Sequence, residues 1–196
     1  MQDEIGHNPG RRPGGQSGRQ RKARPLDGAG LAELALAYVA RFATSEAKLA
    51  AYLARKLRER GWIGEGEDFP DVQALARRYA ELGYVDDEAY AQARSSGLLR
   101  RGYGPRRVAQ ALYAAGIDER HREAASPSDE GARRAALVMA RKRRFGPFGG
   151  ERPEPARRER QIAAMIRAGH RLDNAREIVD AASIEAAEEW AGWPCE

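Results

Sequence analysis

Apolar residues recur at helical spacing through most of the chain, beginning at Leu31. Leu31, Leu34, Ala35, Tyr38 and Phe42 follow the spacing i, i+3, i+4, i+7 and i+11, which places their side chains on one face of an α-helix. Two further stripes with this spacing comprise Leu49, Tyr52, Leu53 and Leu57, and Val72, Leu75, Tyr79 and Leu82. The alternation typical of a β-strand is absent, so the pattern predicts an all-α protein.

Capping residues indicate where the helices begin. Thr44 or Ser45 is expected to accept a backbone N–H at the start of the second helix. Asp68, with Pro70 in the first turn, is expected to open the third helix, and Asp86 the fourth. Later starts are predicted at Gly104 and Pro105, at Ser126 and Pro127, and at Asp173 or Asn174.

Glycine residues indicate where the helices end. In the Schellman geometry a glycine takes the left-handed conformation, and the next residue contacts the residue four positions before the glycine. Four glycines fit this rule, although one of the flanking pairs contains a polar histidine. They are Gly61 with Leu57 and Trp62, Gly83 with Tyr79 and Tyr84, Gly116 with Leu112 and Ile117, and Gly169 with Met165 and His170.

The spacing of three of these glycines indicates an internal repeat. Gly61, Gly116 and Gly169 are 55 and 53 residues apart, and each follows a helix with a small apolar stripe. Because so small a helical unit cannot bury its apolar face alone, we expect the units to stack into an elongated, curved array. The predicted boundaries are a disordered basic tail at 1–29, helical repeats at 30–85, 86–127 and 128–190, and a C-terminal tail at 191–196.

Charge narrows the range of partners. The chain carries 34 basic and 29 acidic residues, a net charge of +5, which favours a polyanion or an acidic protein surface. Residues 11–24 hold six basic side chains and no acid, and are interpreted as a solvated extension or an arm that touches phosphates. With Cys195 as the single cysteine, and with neither a signal sequence nor a membrane span recognised, we expect a cytoplasmic monomer without membrane contact.

The first candidate contact site surrounds Tyr103 on the turn that leads into a helix. An anion there would meet guanidinium groups together with free N–H groups at the helix N-terminus. In the alternative interpretation, Arg101 and Tyr103 pack a junction between repeats while Arg106 and Arg107 form a solvated face. The candidate residues are Arg100, Arg101, Tyr103, Arg106 and Arg107.

The second candidate site lies in residues 133–160, which hold ten basic and three acidic residues. Four consecutive cations at the end of a predicted helix exceed what C-terminal capping requires. Residues 173–196 instead hold seven acids and one arginine, so we expect an acidic edge and a polarised surface that favours oriented docking. The candidate residues are Arg141, Lys142, Arg143, Arg144, Arg157 and Arg158.

The sequence predicts no reactive centre. Asp86, Asp87 and Glu88 are explained by the preference for acids in the first turn of a helix. The three histidines are too scattered to form a ligand set, and the glycines at 102, 104 and 146 follow no strand. We therefore expect no enzymatic activity, no cofactor and no metal.

Three segments carry a family resemblance: LGYVDD at 82–87, RRGYGPRR at 100–107 and GI at 116–117. Together they resemble the central repeat of the RecX family, the bacterial regulators of the RecA recombinase. Residues 44–62 are similar to the first repeat of that family, and residues 157–179 are similar to the third.

The resemblance implies three tandem three-helix repeats that dock in the groove of the RecA filament on DNA. It further implies a non-enzymatic regulator that lowers ATP hydrolysis, strand exchange and the coprotease function that triggers the SOS response. The alternative is a basic helical module that binds single- and double-stranded DNA through phosphate contacts. This chain departs from the family pattern at residues 64–68, in the linker 145–155, and at His170.

Overall fold

The computed structural model describes residues 24–64, 69–151 and 153–193. These residues contain ten α-helices, a 3-10 turn at Gly146–Gly149 and no strand. The helices are α1 (Gly28–Val39), α2 (Glu46–Arg60), α3 (Val72–Glu81), α4 (Asp87–Leu99), α5 (Pro105–Tyr113), α6 (Glu119–Ala124), α7 (Asp129–Arg143), α8 (Pro155–Arg167), α9 (Leu172–Asp180) and α10 (Ile184–Trp190). The all-α prediction is confirmed, and none of these helices is long and apolar enough to cross a bilayer.

The helices form three successive bundles, each with its own core of buried side chains. We call α1–α3 the first bundle, α4–α6 the second and α7–α10 the third. Representative buried residues are Leu31, Leu49 and Leu53 in the first core, Val108, Leu112 and Ile117 in the second, and Leu137, Met165 and Ile178 in the third. The prediction of tandem helical repeats is confirmed, because each group of helices buries its own apolar stripes.

The third bundle has one helix more than the sequence analysis predicted. Ser183 caps α10 by accepting the N–H of Ala186 over 3.2 Å, and Ala187 and Ala191 are buried in the third core. The short apolar stripe of α10 consists mainly of alanine, so it gave no clear periodic signal. Ala191 therefore belongs to the bundle and not to a C-terminal tail; Cys195 lies outside the described residues.

Three predicted helix starts are confirmed and three are wrong. Ser45 caps α2, Asp86 caps α4, and α5 begins at Pro105 after Gly104. The other three helices begin a few residues away from the predicted positions. Asp71 rather than Asp68 precedes α3, Ser128 rather than Ser126 caps α7, and α9 begins at Leu172 after Arg171 without a side-chain cap.

Local chemistry explains these shifts. Asp71 accepts the N–H groups of both Gln73 and Ala74, so Pro70 precedes the cap instead of lying in the first turn. Ser128 accepts the N–H of Gly131 over 3.1 Å, which places Pro127 before the cap of α7 in the same way. Asp68 itself lies outside the described residues.

Three of the four predicted helix ends have the Schellman hydrogen bond. The N–H groups of Tyr84, Ile117 and His170 donate to the carbonyls of Tyr79, Leu112 and Met165 at 2.9, 3.2 and 3.1 Å. Gly83, Gly116 and Gly169 have positive φ angles of 77°, 71° and 95°. The predicted pairing across these glycines is therefore confirmed, including the pair that contains His170.

The prediction at Gly61 is wrong. Gly61 has a φ of 82° and a ψ of 166°, so the chain continues in an extended direction instead of folding back. Its carbonyl accepts the N–H of Leu26 over 2.9 Å, and Leu26 accepts the N–H of Ile63 over 2.8 Å. Pairing with residues before α1 thus sets the geometry after α2, and Leu26, predicted to lie in the tail, is buried.

Two residues of the predicted apolar stripes lie outside the core. Phe42 follows the end of α1, and 54% of its surface is exposed. Leu82 caps the C-terminus of α3 and is 60% exposed. Both stripes therefore end one turn earlier than the sequence spacing predicts.

Candidate functional site

The first and second bundles are joined by side-chain hydrogen bonds. These bonds run from Ser45 Oγ to the Ala115 carbonyl (2.5 Å), from the Glu46 N–H to Asp87 Oδ1 (2.9 Å), and from Lys48 Nζ to the Tyr90 hydroxyl (2.7 Å). Gly116 lies so close to Ala47 that a β-carbon at Gly116 would overlap the Ala47 methyl group. The N-terminal half of α2 is thereby held beside α4 and α5.

This junction forms a groove of about 340 Å³ with a strongly basic lining, which we call the junction groove. Its charged lining residues are cations from α2, α4, α5 and the turn before α5, and no acid among the described residues lines it. Arg101 lies 5.8 Å from the ring of Tyr103, and its Nε donates to the Gly97 carbonyl over 3.0 Å. The polar and aromatic lining residues are Lys48, Arg94, Arg101, Tyr103, Arg107 and Gln110.

The junction groove contains three of the predicted site residues and two that the sequence analysis missed. Arg101, Tyr103 and Arg107 were candidates, whereas Lys48 and Arg94 come from separate helices. Neither missed residue belongs to a basic run in the sequence, so only the packing of α2 against the second bundle reveals them. Arg100 and Arg106 are exposed and do not line this groove.

The helix N-terminus expected to bind an anion is already occupied. The N–H of Arg106 donates to the Gly169 carbonyl over 3.1 Å, and the N–H of Gly104 donates to the Ala168 carbonyl over 3.0 Å. A β-carbon at Gly104 would overlap the backbone of Gly169. The expectation of free N–H groups at this turn is therefore wrong, because the end of α8 covers the start of α5.

The alternative interpretation of the turn is also only partly correct. Tyr103 is 37% exposed and Arg101 is exposed, so neither side chain is buried at the junction between the second and third bundles. Lys142 Nζ donates to the Arg101 carbonyl over 3.4 Å at this junction. The close packing is made by Gly102 and Gly104, whose missing side chains let backbones approach.

A second cationic groove, of about 210 Å³, lies between the end of α7 and the start of α8. We call it the α7–α8 groove, and within residues 24–64, 69–151 and 153–193 no acid lines it. Arg144 has a φ of 54°, the only positive φ of a non-glycine residue in the described part of the chain. The residues that line the α7–α8 groove are Arg143, Arg144, Phe145, Arg157, Arg160 and Gln161.

Two predicted contact residues of the third bundle form internal ion pairs instead. Arg141 pairs with Glu188 and lies 4.9 Å from the ring of Trp193. Arg158 pairs with Asp180, with 2.5 Å between Nε and Oδ1, and this hydrogen bond raises the pKa of Arg158. The basic and acidic segments of the sequence therefore meet within the bundle, so the expected separation of their charges is wrong at these residues.

An acidic groove of about 440 Å³ lies at the opposite end of α4 from the junction groove. It is formed where α2, α4 and α6 begin. Asp86 accepts the N–H of Ala89, and Asp118 accepts the N–H of His121, both over 2.8 Å, so the interpretation of Asp86 as a helix cap is confirmed. No group of three or more His, Cys, Asp or Glu residues in the described ranges is arranged to hold a metal ion.

His170 joins the second and third bundles from a fully buried position. Its Nε2 donates to the Gly102 carbonyl over 3.0 Å, because a carbonyl can only accept. Its Nδ1 is buried and has no hydrogen-bond partner among the residues that the structure describes. Burial lowers the pKa of His170, which favours the neutral ring at this junction.

Comparison with known proteins places the chain in one family. The family model described as "RecX, second three-helix domain" matches residues 86–125, which are the second bundle and its flanking residues. Regulatory protein RecX of Myxococcus xanthus (strain DK1622) is 33% identical over 172 residues, covering 83% of this chain and 89% of the relative. Regulatory protein RecX of Agrobacterium fabrum (strain C58 / ATCC 33970) is 29% identical over 147 residues, covering 72% of this chain and 77% of the relative.

Solved structures support the same fold. The crystal structure of RecX from Lactobacillus salivarius superposes with a TM-score of 0.58 at 16% identity, covering 85% of this chain and 97% of that chain. A second crystal structure of regulatory protein RecX gives a TM-score of 0.58 at 21% identity, covering 77% of this chain and 70% of that chain. Together with the identity to the Myxococcus relative, these matches show that the chain belongs to the RecX family of regulatory proteins.

Proposed function

We propose that this chain regulates the RecA recombinase by binding the RecA–DNA filament in its helical groove. In this proposal the chain acts as a cytoplasmic monomer and lowers the ATPase, recombinase and coprotease activities of the filament. The observation that carries the proposal is the acid-free lining of the junction groove, in which four cations from two bundles converge. Membership of a family of regulatory proteins supports it.

The electrostatics of the junction groove suit a phosphate backbone. Arg94, Arg101 and Arg107 carry planar guanidinium groups that bind phosphate oxygens in a bidentate manner, and Lys48 adds a point charge. Since no carboxylate in the described part of the chain lines the groove, its described residues do not offset the attraction to an incoming phosphate. The α7–α8 groove offers a second set of arginines on the third bundle.

The acidic groove at the other end of α4 supports an oriented contact. Asp86, Asp87 and Glu88 would repel phosphate, whereas the junction groove attracts it. Opposed charges at the two ends of α4 favour one docking orientation over its reverse, and protein contacts then supply selectivity for the filament. No bond is made or broken in this proposal; the chain acts by occupying a surface of the filament.

The proposal is tested by measuring ATP hydrolysis by RecA on single-stranded DNA while the purified chain is added. We expect hydrolysis to fall when the chain reaches a stoichiometric amount relative to RecA. Replacing Arg94 and Arg107 by glutamate cancels the net positive charge of the junction groove without altering a buried contact, and we expect this variant to inhibit weakly. Unchanged hydrolysis with the wild-type chain would refute the regulator proposal.

The second candidate function is a DNA-binding module that acts through phosphate contacts alone. The acid-free lining of both cationic grooves favours it. A binder of this kind loses affinity with a log–log salt slope of about −0.9 per phosphate contacted on duplex DNA. Binding to RecA filaments that persists at salt concentrations where binding to bare DNA is lost would favour the filament regulator over this module.

A further inference from the structure

Three aromatic rings pack in a row on the first bundle. Tyr52 stacks on Tyr38, and the ring of Phe42 packs against Tyr38 with its plane inclined by 49°. The ring centroids of Tyr38 and Tyr52 are 4.1 Å apart, and their planes are inclined by 18°. The ring of Phe42 lies 5.3 Å from that of Tyr38, and the Phe42 N–H donates to the Tyr38 carbonyl over 3.0 Å. The stack thus links the turn after α1 to the middle of α2.

The outer end of this stack is open to solvent and is not part of the core. Tyr38 and Tyr52 are partly buried against the first core, but Phe42 does not belong to that cluster and is 54% exposed. Core packing therefore accounts for the two tyrosines and leaves the exposed phenylalanine ring unexplained. A large apolar ring placed at the end of an ordered stack offers a flat surface to a ligand.

Cations line the same face of α2 as Tyr52. Arg55 and Lys56 lie 5.6 and 5.8 Å from the Tyr52 ring, and both pair with Glu59. The hydrogen bond from Lys56 lowers the pKa of Glu59, so one carboxylate is shared between two cations. The face therefore keeps a positive excess beside the aromatic rings.

This face continues from the junction groove. Lys48 lines the groove and lies four residues before Tyr52, which is about one helical turn along α2. A strand whose phosphates enter the junction groove at Lys48 would next meet Tyr52 and the ring stack. Aromatic rings next to a cationic track are the arrangement by which proteins bind single strands, with bases on the rings and phosphates on the cations.

We propose that Phe42, packed against Tyr38 at the end of the Tyr38–Tyr52 stack, is a platform for an unpaired nucleobase of a single-stranded nucleic acid that lies in the junction groove. The inference rests on the proposed function and adds a preference for single strands, which the cations alone do not provide. Every base has a flat face, so the platform accepts any base sequence. Bases of a duplex are already stacked on one another and do not reach it.

Fluorescence anisotropy with three labelled DNA ligands of equal length tests this proposal. The ligands are oligo(dT), an abasic strand with the same phosphates, and a duplex. Replacing Phe42 by alanine is expected to weaken binding to oligo(dT) about fivefold or more and to leave binding to the abasic strand and the duplex unchanged. Phe42→Trp is expected to retain the wild-type affinity, because indole also stacks.

Leu36→Ala is the control matched to Phe42→Ala. Leu36 is an apolar residue of α1 that is 47% exposed, and it lies outside the ring stack. It is expected to bind all three ligands as the wild-type chain does. An equal loss of affinity for all three ligands on Phe42→Ala, or no loss for oligo(dT), would overturn the platform.

The experiment distinguishes a wrong assignment of Phe42 as a base platform from a wrong assignment of the junction groove as the phosphate-binding surface. Replacing Arg94 and Arg107 by alanine is expected to weaken binding to all three ligands, because it removes phosphate contacts. If this double variant binds normally while Phe42→Ala loses oligo(dT) selectively, the platform stands and the groove assignment fails. Absence of wild-type binding to every ligand would overturn the platform, while the RecA hydrolysis assay would still test the regulator proposal by itself.

Discussion

The backbone N–H of Arg106 donates a hydrogen bond to the carbonyl oxygen of Gly169 over 3.1 Å, which joins the start of α5 to the end of α8. The partly positive N-terminus of one helix thus meets the partly negative C-terminus of the other. The bond from the Gly104 N–H to the Ala168 carbonyl adds to this contact. Because backbone atoms make the junction, the third bundle is held close to the second and the position of the α7–α8 groove is fixed relative to the junction groove.

Gly104→Ala is expected to destabilise the chain, because a β-carbon has no room against the Gly169 backbone. We expect a loss of about 1–3 kcal/mol in the free energy of unfolding, the usual cost of forcing extra atoms into a packed site. Gly97→Ala in α4 is the control, since its nearest neighbour would be 4.0 Å from the new β-carbon. Denaturant unfolding of the two variants measures the difference, and equal stabilities would contradict the close approach.

Gly116→Ala is expected to cost more stability than Gly83→Ala. Both glycines have positive φ angles, 71° and 77°, so both substitutions carry about 1–2 kcal/mol of backbone strain. At Gly116 the new β-carbon would overlap Ala47 of another bundle, whereas at Gly83 no described residue beyond the chain neighbours lies within 4 Å of it. Thermal unfolding of both variants tests this order. A smaller loss of stability for Gly116→Ala than for Gly83→Ala would show that the first and second bundles are not closely packed at Gly116.

The buried imidazole of His170 predicts a pH dependence of stability. Burial holds the pKa of His170 below its ordinary value of 6.5, so the unfolded chain binds more protons than the folded chain as the pH falls through that value. The free energy of unfolding is therefore expected to decrease between about pH 7.5 and pH 5.5. Gln at position 170 can still donate to the Gly102 carbonyl but does not titrate, so H170Q should lose less stability over this range; an equal loss would contradict the prediction.

The neighbouring residues Arg157 and Arg158 are expected to have different roles. Arg157 lines the α7–α8 groove, so Arg157→Ala should weaken DNA binding and lower the magnitude of the salt slope by about 0.9 on duplex DNA. Arg158 pairs with Asp180, so Arg158→Ala should leave binding nearly unchanged and reduce stability only slightly, as for a partly exposed ion pair. Salt titrations and unfolding curves of both variants check this, and the reverse assignment would refute the division of roles.

Helix ends were predictable from the sequence where a local motif decides them. Gly83, Gly116 and Gly169 close their helices with bonds between residues five apart, which local spacing reveals. Gly61 follows a different course because Leu26, 35 positions earlier in the chain, pairs with it. Such long-range pairing leaves no local signal, and neither does the alanine-rich packing of α10.

The candidate site was predictable only where basic residues are consecutive. Arg143 and Arg144 stood out as part of a run and do line a groove, together with Arg157. The same run contains Arg141, whose partner Glu188 lies 47 positions away, so the sequence could not show that its charge is neutralised. Lys48 and Arg94 were missed for the opposite reason, since each is isolated in the sequence and joins the groove through packing.

The most direct measurement is the affinity of the chain for assembled RecA–DNA filaments, compared between two double variants with the same charge change. Arg94→Ala with Arg107→Ala removes two cations from the junction groove, whereas Arg77→Ala with Arg106→Ala removes two exposed cations outside it. We predict that the first variant binds filaments at least about tenfold more weakly than wild type, from roughly 1.4 kcal/mol of lost contact energy, and that the second binds nearly as wild type. Equal affinities for the two variants would contradict the assignment of the junction groove as the contact surface.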